Sequence, residues 1–99
     1  MENRDINTLL EGYYSNPGAQ LLDIRSAEEY ARGHIPGARN VPLQALRDFS
    51  QEVDRETPLY VYCQSGGRSL KAATVLRGVG YTDVTDLGGI SRYTGEIEK

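Results

Sequence analysis

Leu59–Ser69 reads LYVYCQSGGRS, and the rest of the chain is organised to hold it. Leu59, Tyr60, Val61 and Tyr62 are a short apolar, β-prone run, the pattern of a buried strand. The run stops at Cys63, the only cysteine in the sequence. Gly66 and Gly67 follow, and Ser69-Leu70-Lys71-Ala72-Ala73 opens a helical pattern that continues to Val79. Strand, glycine turn and helix in that order gather backbone N–H groups around one point, at the positive end of a helix dipole. That arrangement binds anions. A cysteine at its mouth has its thiolate stabilised, and the thiolate is the nucleophile. A lone cysteine is more often a small buried hydrophobe, but this one stands at a strand's carboxyl end, where open α/β sheets place their ligand sites. The candidate site is therefore Cys63 as nucleophile, with Gln64, Ser65, Gly66, Gly67, Arg68 and Ser69 as the loop that binds substrate. Arg68 adds a fixed cation that can steer an anion; its alternative role is structural pairing with an acidic residue.

Ninety-nine residues make one small domain, residues 1–99, with room for a single core. Lys plus Arg number 11 against 14 Asp plus Glu, a formal net charge of −3. With no basic run to override that balance, neither nucleic acid nor an anionic membrane is the expected partner. No apolar stretch approaches the length that spans a bilayer, and MENRDINTLLEGYY at the start is too polar for a signal peptide. One cysteine cannot form an internal disulfide, which fits a reducing, cytoplasmic setting. It also means that any sulfur loaded on Cys63 must pass to another molecule. One Cys and one His (His34) make a poor start on a zinc site, so no metal is expected.

In chain order, Ile6, Leu9, Leu10 and Tyr13 recur at helical spacing over Asp5–Tyr14, and Asn16-Pro17-Gly18 ends that helix. AQLLDI, Ala19–Ile24, is a second buried strand. Ser26 is a helix N-cap, with Glu29 completing a capping box, for a short helix Ala27–Arg32 that stops at Gly33. A turn at His34–Ala38 leads to a third strand near Asn40-Val41. Pro42-Leu43 starts a helix, LQALRDF, in which Leu43, Leu46 and Phe49 share a face; Ser50–Thr57 is a polar surface connection. After the cysteine loop, Ala72, Ala73, Leu76 and Val79 make the buried stripe of the longest helix. Asp83–Leu87 is a last strand, followed by a Gly88-Gly89 turn and a final helical piece.

Three stretches resemble the rhodanese family of sulfurtransferases. Cys63-Gln64-Ser65-Gly66-Gly67-Arg68 is similar to that family's active-site loop, Cys-x-x-Gly-x-Arg. Leu22-Asp23-Ile24-Arg25, Glu28-Glu29-Tyr30 and Gly33-His34-Ile35-Pro36-Gly37-Ala38 resemble its strand–helix–turn signature. The Gly88-Gly89 turn and short helix resemble its C-terminal end, with Tyr93 where a tryptophan is usual. The resemblance implies a small α/β rhodanese-like domain with a largely parallel central sheet flanked by helices. It also implies sulfur transfer through a Cys63 persulfide, from thiosulfate or a persulfide donor to a thiol or cyanide acceptor, with no cofactor. A sulfur-accepting protein is a further conceivable partner. His34 is read as fixing its turn and not as a general base. Asp23 and Arg25, charged groups at the end of a buried strand, are read as anchors for the loops.

Two other readings stay open on the residues alone. A cysteine-dependent phosphatase or arsenate reductase also uses a strand, cysteine loop, arginine and helix, but with one more residue between cysteine and arginine than Gln64–Gly67 supplies. A partner-binding module without turnover is the other, against which stand Cys63, Gly66 and Arg68.

Overall fold

The computed structural model describes residues 5–99; the signal-peptide reading of the N-terminus falls partly on residues 1–4, outside that range. Four strands, β1 (Gln20–Asp23), β2 (Arg39–Asn40), β3 (Leu59–Cys63) and β4 (Val84–Gly89), form one sheet in the order β2-β1-β3-β4. Every pairing is parallel. Four helices connect and cover them: α1 (Ile6–Tyr14), α2 (Ala27–Arg32), α3 (Leu46–Glu52) and α4 (Gly67–Gly78). Single turns of tighter helix, Leu43–Ala45 and Ile90–Arg92, precede α3 and follow β4. None of the helices among the described residues is long and apolar enough to cross a membrane.

The two faces of the sheet follow from strand alternation. Leu22, Ile24, Leu59, Val61 and Cys63 point to one side, where they meet Leu46 and Phe49 of α3 and Ala72, Ala73 and Leu76 of α4. Leu21, Tyr62 and Leu87 point to the other, against Ile6 and Leu10 of α1 and Ile35 and Ala38 of the turn after α2. Cys63 and Tyr62 are neighbours in sequence yet serve opposite faces. The small Ala72 and Ala73, both fully buried, let α4 lie close behind Cys63.

The local signals worked at the helix ends. Asp5 caps α1 through Thr8 N, and Ser26 and Glu29 form the reciprocal capping box of α2. Three expectations need correction. The helix after the cysteine loop begins at Gly67, not Ser69, because Gly66 turns the chain with φ +108. Val79 lies outside the buried stripe and is 44% exposed. It is the C-cap of α4, and Tyr81 fills its place by folding back, with its N–H on Leu76 O and its hydroxyl on Val53 O. Ser50–Glu52 belong to α3 and are not loop. Ser50 is buried because its hydroxyl bonds to Arg47 O, satisfying it within the helix.

At the carboxyl ends of β1 and β3 a polar knot replaces apolar packing. Asp23 is completely buried and accepts hydrogen bonds from Arg25 N (2.9 Å), Nε (3.0 Å) and Nη2 (2.7 Å) and from the Tyr62 hydroxyl (2.7 Å). The Tyr62 hydroxyl in turn accepts from Ile35 N at 3.1 Å. Burial, with the Asp23 carboxylate beside it, pushes the Tyr62 phenol up, so it stays a donor at any working pH. Tyr62→Phe leaves Ile35 N–H without its acceptor and Asp23 short of a donor, each inside the protein. The expected loss is about 1–3 kcal/mol, read as a lower midpoint in urea unfolding; an unchanged midpoint would show that the knot relaxes around the missing hydroxyl.

Candidate active site

The sequence of α4's start explains where the thiol sits. Gly66, its N-cap, has no side chain with which to cap, so the first N–H groups of the helix need another acceptor. Cys63 Sγ provides it, accepting from Gly66 N at 3.0 Å and from Ser69 N at 3.3 Å. The cysteine sulfur takes the part that a Ser or Asp oxygen plays in an ordinary N-cap. Ser69 Oγ lies 3.5 Å from Sγ and also reaches Gly66 O and Gly88 O. Burial pushes the Cys63 thiol up, but the Ser69 hydroxyl and the N–H groups of Ser69, Gly66 and Arg68 pull it down further. The thiol ends below its ordinary value. Cys63 is 1% exposed.

Of the loop residues expected to form the site, Gln64, Ser65 and Gly67 are exposed, Gly66 and Arg68 are half-buried, and Ser69 is buried. Gln64 Oε1 accepts from Arg25 Nη1 at 3.2 Å, and Arg25 Nη2 also reaches Gly33 O at 2.6 Å. Asp23 and Arg25 thus anchor both the cysteine loop and the end of α2. Of the two roles open to Arg68, steering an anion or pairing with an acidic residue, the structure forms the pairing: its Nη1 and Nη2 bond to Glu29 Oε1 (2.8 Å) and Oε2 (3.0 Å). A cation in the first turn of α4 faces the same positive helix end that favours the thiolate, and a carboxylate partner compensates it. Glu29 is held well below the usual carboxylate range, to about 2, chiefly by Arg68 and then by the Ser26 N–H.

His34 keeps the structural role read from the sequence. Its ring stacks on Tyr30 at 3.7 Å between centroids, Nδ1 meets Tyr30 O at 3.0 Å, and its backbone pairs with Glu98. Tyr93 packs with the α1 side of the core, and its hydroxyl bonds to Glu96 O. The cavity of about 500 Å³ beside the loop is walled by Arg25, Glu29, Arg32, Gly33, Gln64, Ile90 and Ile97, so Tyr93 does not shape its rim.

Two contributors escaped the sequence reading. Glu29 was legible only as a cap, since nothing local says that it reaches Arg68. The other is the end of β4. Between Val61 and Tyr62 the β3–β4 register shifts by one residue, which brings Gly88 and Gly89 opposite Tyr62 and Cys63. A Cβ on Gly89 would lie 2.6 Å from Gln64 O and 2.8 Å from Ser65 Cα, so only glycine lets the loop seat there. The Gly-Gly pair at the end of a strand was the available signal.

A cysteine held as an N-cap acceptor at the carboxyl end of a parallel strand defines an α/β domain built around a cysteine loop that opens a helix. The chain belongs to the rhodanese-like domain family, whose model matches residues 7–96. It is 43% identical to YqhL of Bacillus subtilis, over 81% of this chain and 64% of that protein. It is 40% identical to the thiosulfate sulfurtransferase GlpE of Ectopseudomonas mendocina, over 73% of this chain and 66% of that protein. The chain thus spans about two thirds of the length of these relatives. Among solved structures, the human single-domain sulfurtransferase TSTD1 superposes with a TM-score of 0.72 at 30% identity, covering 87% of this chain and 93% of that one. A rhodanese with anions from E. coli superposes at 0.73 with 31% identity, over 82% and 98%.

The raised acidity of the thiol has a direct readout. Alkylation of Cys63 against pH is expected to rise and reach its plateau below the range of a free cysteine, about 8.5. In Ser69→Ala, which removes one of the groups pulling the thiol down, the inflection moves upward. An inflection at or above the free-thiol value in the native protein would mean that burial outweighs the hydrogen bonds.

Proposed function

We propose that the chain is a sulfurtransferase that carries a sulfane sulfur on Cys63. The observation that carries this reading is the position of Sγ as acceptor of the Gly66 and Ser69 N–H groups at the N-terminus of α4. The Cys63 thiolate attacks the outer sulfur of thiosulfate; a Cys–S bond to sulfur forms, the S–S bond of the donor breaks, and sulfite leaves with the electron pair. A persulfide donor reacts in the same way, releasing its thiolate. Cyanide or a thiolate acceptor then attacks the terminal sulfur, the persulfide S–S bond breaks, and Cys63 returns as thiolate. Loop N–H groups from Gln64 to Ser69 would surround the terminal sulfur's negative charge, as an oxyanion hole does for oxygen. With no second cysteine in the chain, the sulfur leaves to another molecule, a small thiol or a sulfur-accepting protein.

The phosphatase reading is disfavoured by two features. The loop has four residues between Cys63 and Arg68, one short of that class. Arg68 is also engaged with Glu29, whereas a transferred phosphoryl group needs its arginine on the phosphate oxygens. The reading as a module without turnover is disfavoured by a thiol whose acidity is raised.

Cys63→Ser is expected to abolish thiocyanate formation from thiosulfate and cyanide while leaving the unfolding transition in place. Aryl phosphate hydrolysis by the native protein stays at background. Substantial thiocyanate production by the variant would refute the persulfide mechanism.

A further inference from the structure

Two arginines next to the thiol loop, Arg25 and Arg68, are matched by carboxylates from the segment that runs from β1 into α2. Arg25 is held by Asp23 at 2.7 Å, and Arg68 by both oxygens of Glu29. The order of these groups around the cavity beside the loop matters. Glu29 is in its wall and Arg68 is not. Arg32, one turn further along α2, also lines the cavity, and among the described residues no carboxylate lies within ion-pair distance of it. Ile90 and Ile97 give the cavity its apolar lining. A donor entering here meets one unmatched positive charge, a carboxylate in front of the loop's own cation, and apolar surface.

We propose that Glu29 is a positioning residue that sets donor selectivity: by gripping both Nη atoms of Arg68 it withholds that charge from the donor and disfavours a compact dianion such as thiosulfate. A donor of lower charge with an organic body, such as a small-molecule persulfide, loses less by this, because it does not need a second cation and can use Ile90 and Ile97. The inference rests on the sulfurtransferase reading for its consequence in turnover, but the charge arrangement is testable without turnover. Glu29 remains ionised down to about pH 2, so the restraint does not lapse at any working pH.

Arg68→Ala is a poor probe, since it leaves Glu29 as an unpaired carboxylate facing the cavity and repels a dianion for that reason alone. Glu29→Gln is the informative change. It is nearly isosteric, its remaining oxygen can still accept from the Ser26 N–H of the capping box, and it removes the negative charge and one of the two acceptors that hold the Arg68 guanidinium. The first measurement is the sulfate-dependent rise in melting temperature at constant ionic strength, with sulfate as an unreactive dianion and sodium chloride as the balance. Glu29→Gln is expected to show the rise at about tenfold lower sulfate than native protein, the size of one charge-assisted contact. Glu29→Gln/Arg68→Ala should lose that gain. The second is the ratio of kcat/KM for thiosulfate to that for glutathione persulfide, which should rise about tenfold in Glu29→Gln. Equal sulfate dependence in native and Glu29→Gln protein overturns the proposal, as does a gain that survives removal of Arg68. If neither donor turns over, the sulfurtransferase reading fails, while the sulfate titration still decides the role of Glu29.

Discussion

The Asp23 carboxylate has no exposure to solvent, and it is bonded by Arg25 through backbone and side chain and by the Tyr62 hydroxyl. A buried ion pair of this kind is weak evidence for stability, because desolvating two charges costs about as much as their attraction returns. Its worth here is geometric. Arg25, once fixed by Asp23, has its remaining donors aimed at Gln64 and Gly33, which set the loop after β3 and the end of α2. Tyr62, the residue before Cys63, is pinned from the opposite face of the sheet. Replacing one partner would strand the other as a buried, uncompensated charge, so the knot survives only as a whole.

Within the frame that the knot fixes, a buried cysteine has its thiol pulled down and not up. Sγ has little water around it, which by itself favours the neutral thiol. The backbone supplies what water does not: N–H groups held in place before any charge forms. Gly66 makes the supply possible twice over, by taking a positive φ and by having no side chain to cap α4 in competition with the sulfur. Gly89 does the same from the other side, since any side chain there would press on Gln64 and Ser65. Parallel strands raise the stakes of this arrangement. The carboxyl ends of β1, β3 and β4 all come to one edge, so loops from distant parts of the sequence converge on the thiol.

Much of this was legible in the sequence, and the failures have a common cause. The apolar run Leu59–Tyr62 and the capping box of Ser26 and Glu29 are local patterns found where the structure has them, and the glycine turn before a helix was found with the helix start two residues late. Asp23 and Arg25 were recognisable as anchors because charges at the end of a buried strand must be satisfied. What was hidden depends on contacts across long stretches of chain. Glu29 satisfies a local rule, which concealed its second partner 39 residues away. The register shift beside Leu87 has no signature beyond two glycines. Val79 fits the helical stripe but falls on the residue where the helix ends, and Tyr81, from outside the pattern, takes its place. Periodicity identifies a face; it does not say where the face stops.

The charge pattern around the loop ties these levels together. Under the sulfurtransferase function proposed above, the thiolate would leave its cap, attack a sulfur and return, a cycle best served by a fixed field, and a mobile cation next to it would be a liability. An arginine free to swing onto Sγ would bind the thiolate tightly and lower its nucleophilicity along with its pKa. In this chain Arg25 and Arg68 are instead held by carboxylates, and the stabilisation of Sγ comes from the Ser69 hydroxyl and from backbone N–H groups fixed by the fold. On the proposed function, thiolate character is thereby separated from donor recognition: the first would belong to β3, Gly66 and α4, the second to the wall that α2 presents. A change in α2 would then alter which donors are accepted without disturbing the cysteine loop, and Glu29, which caps α2 and holds Arg68 of α4, is the point where the two are joined.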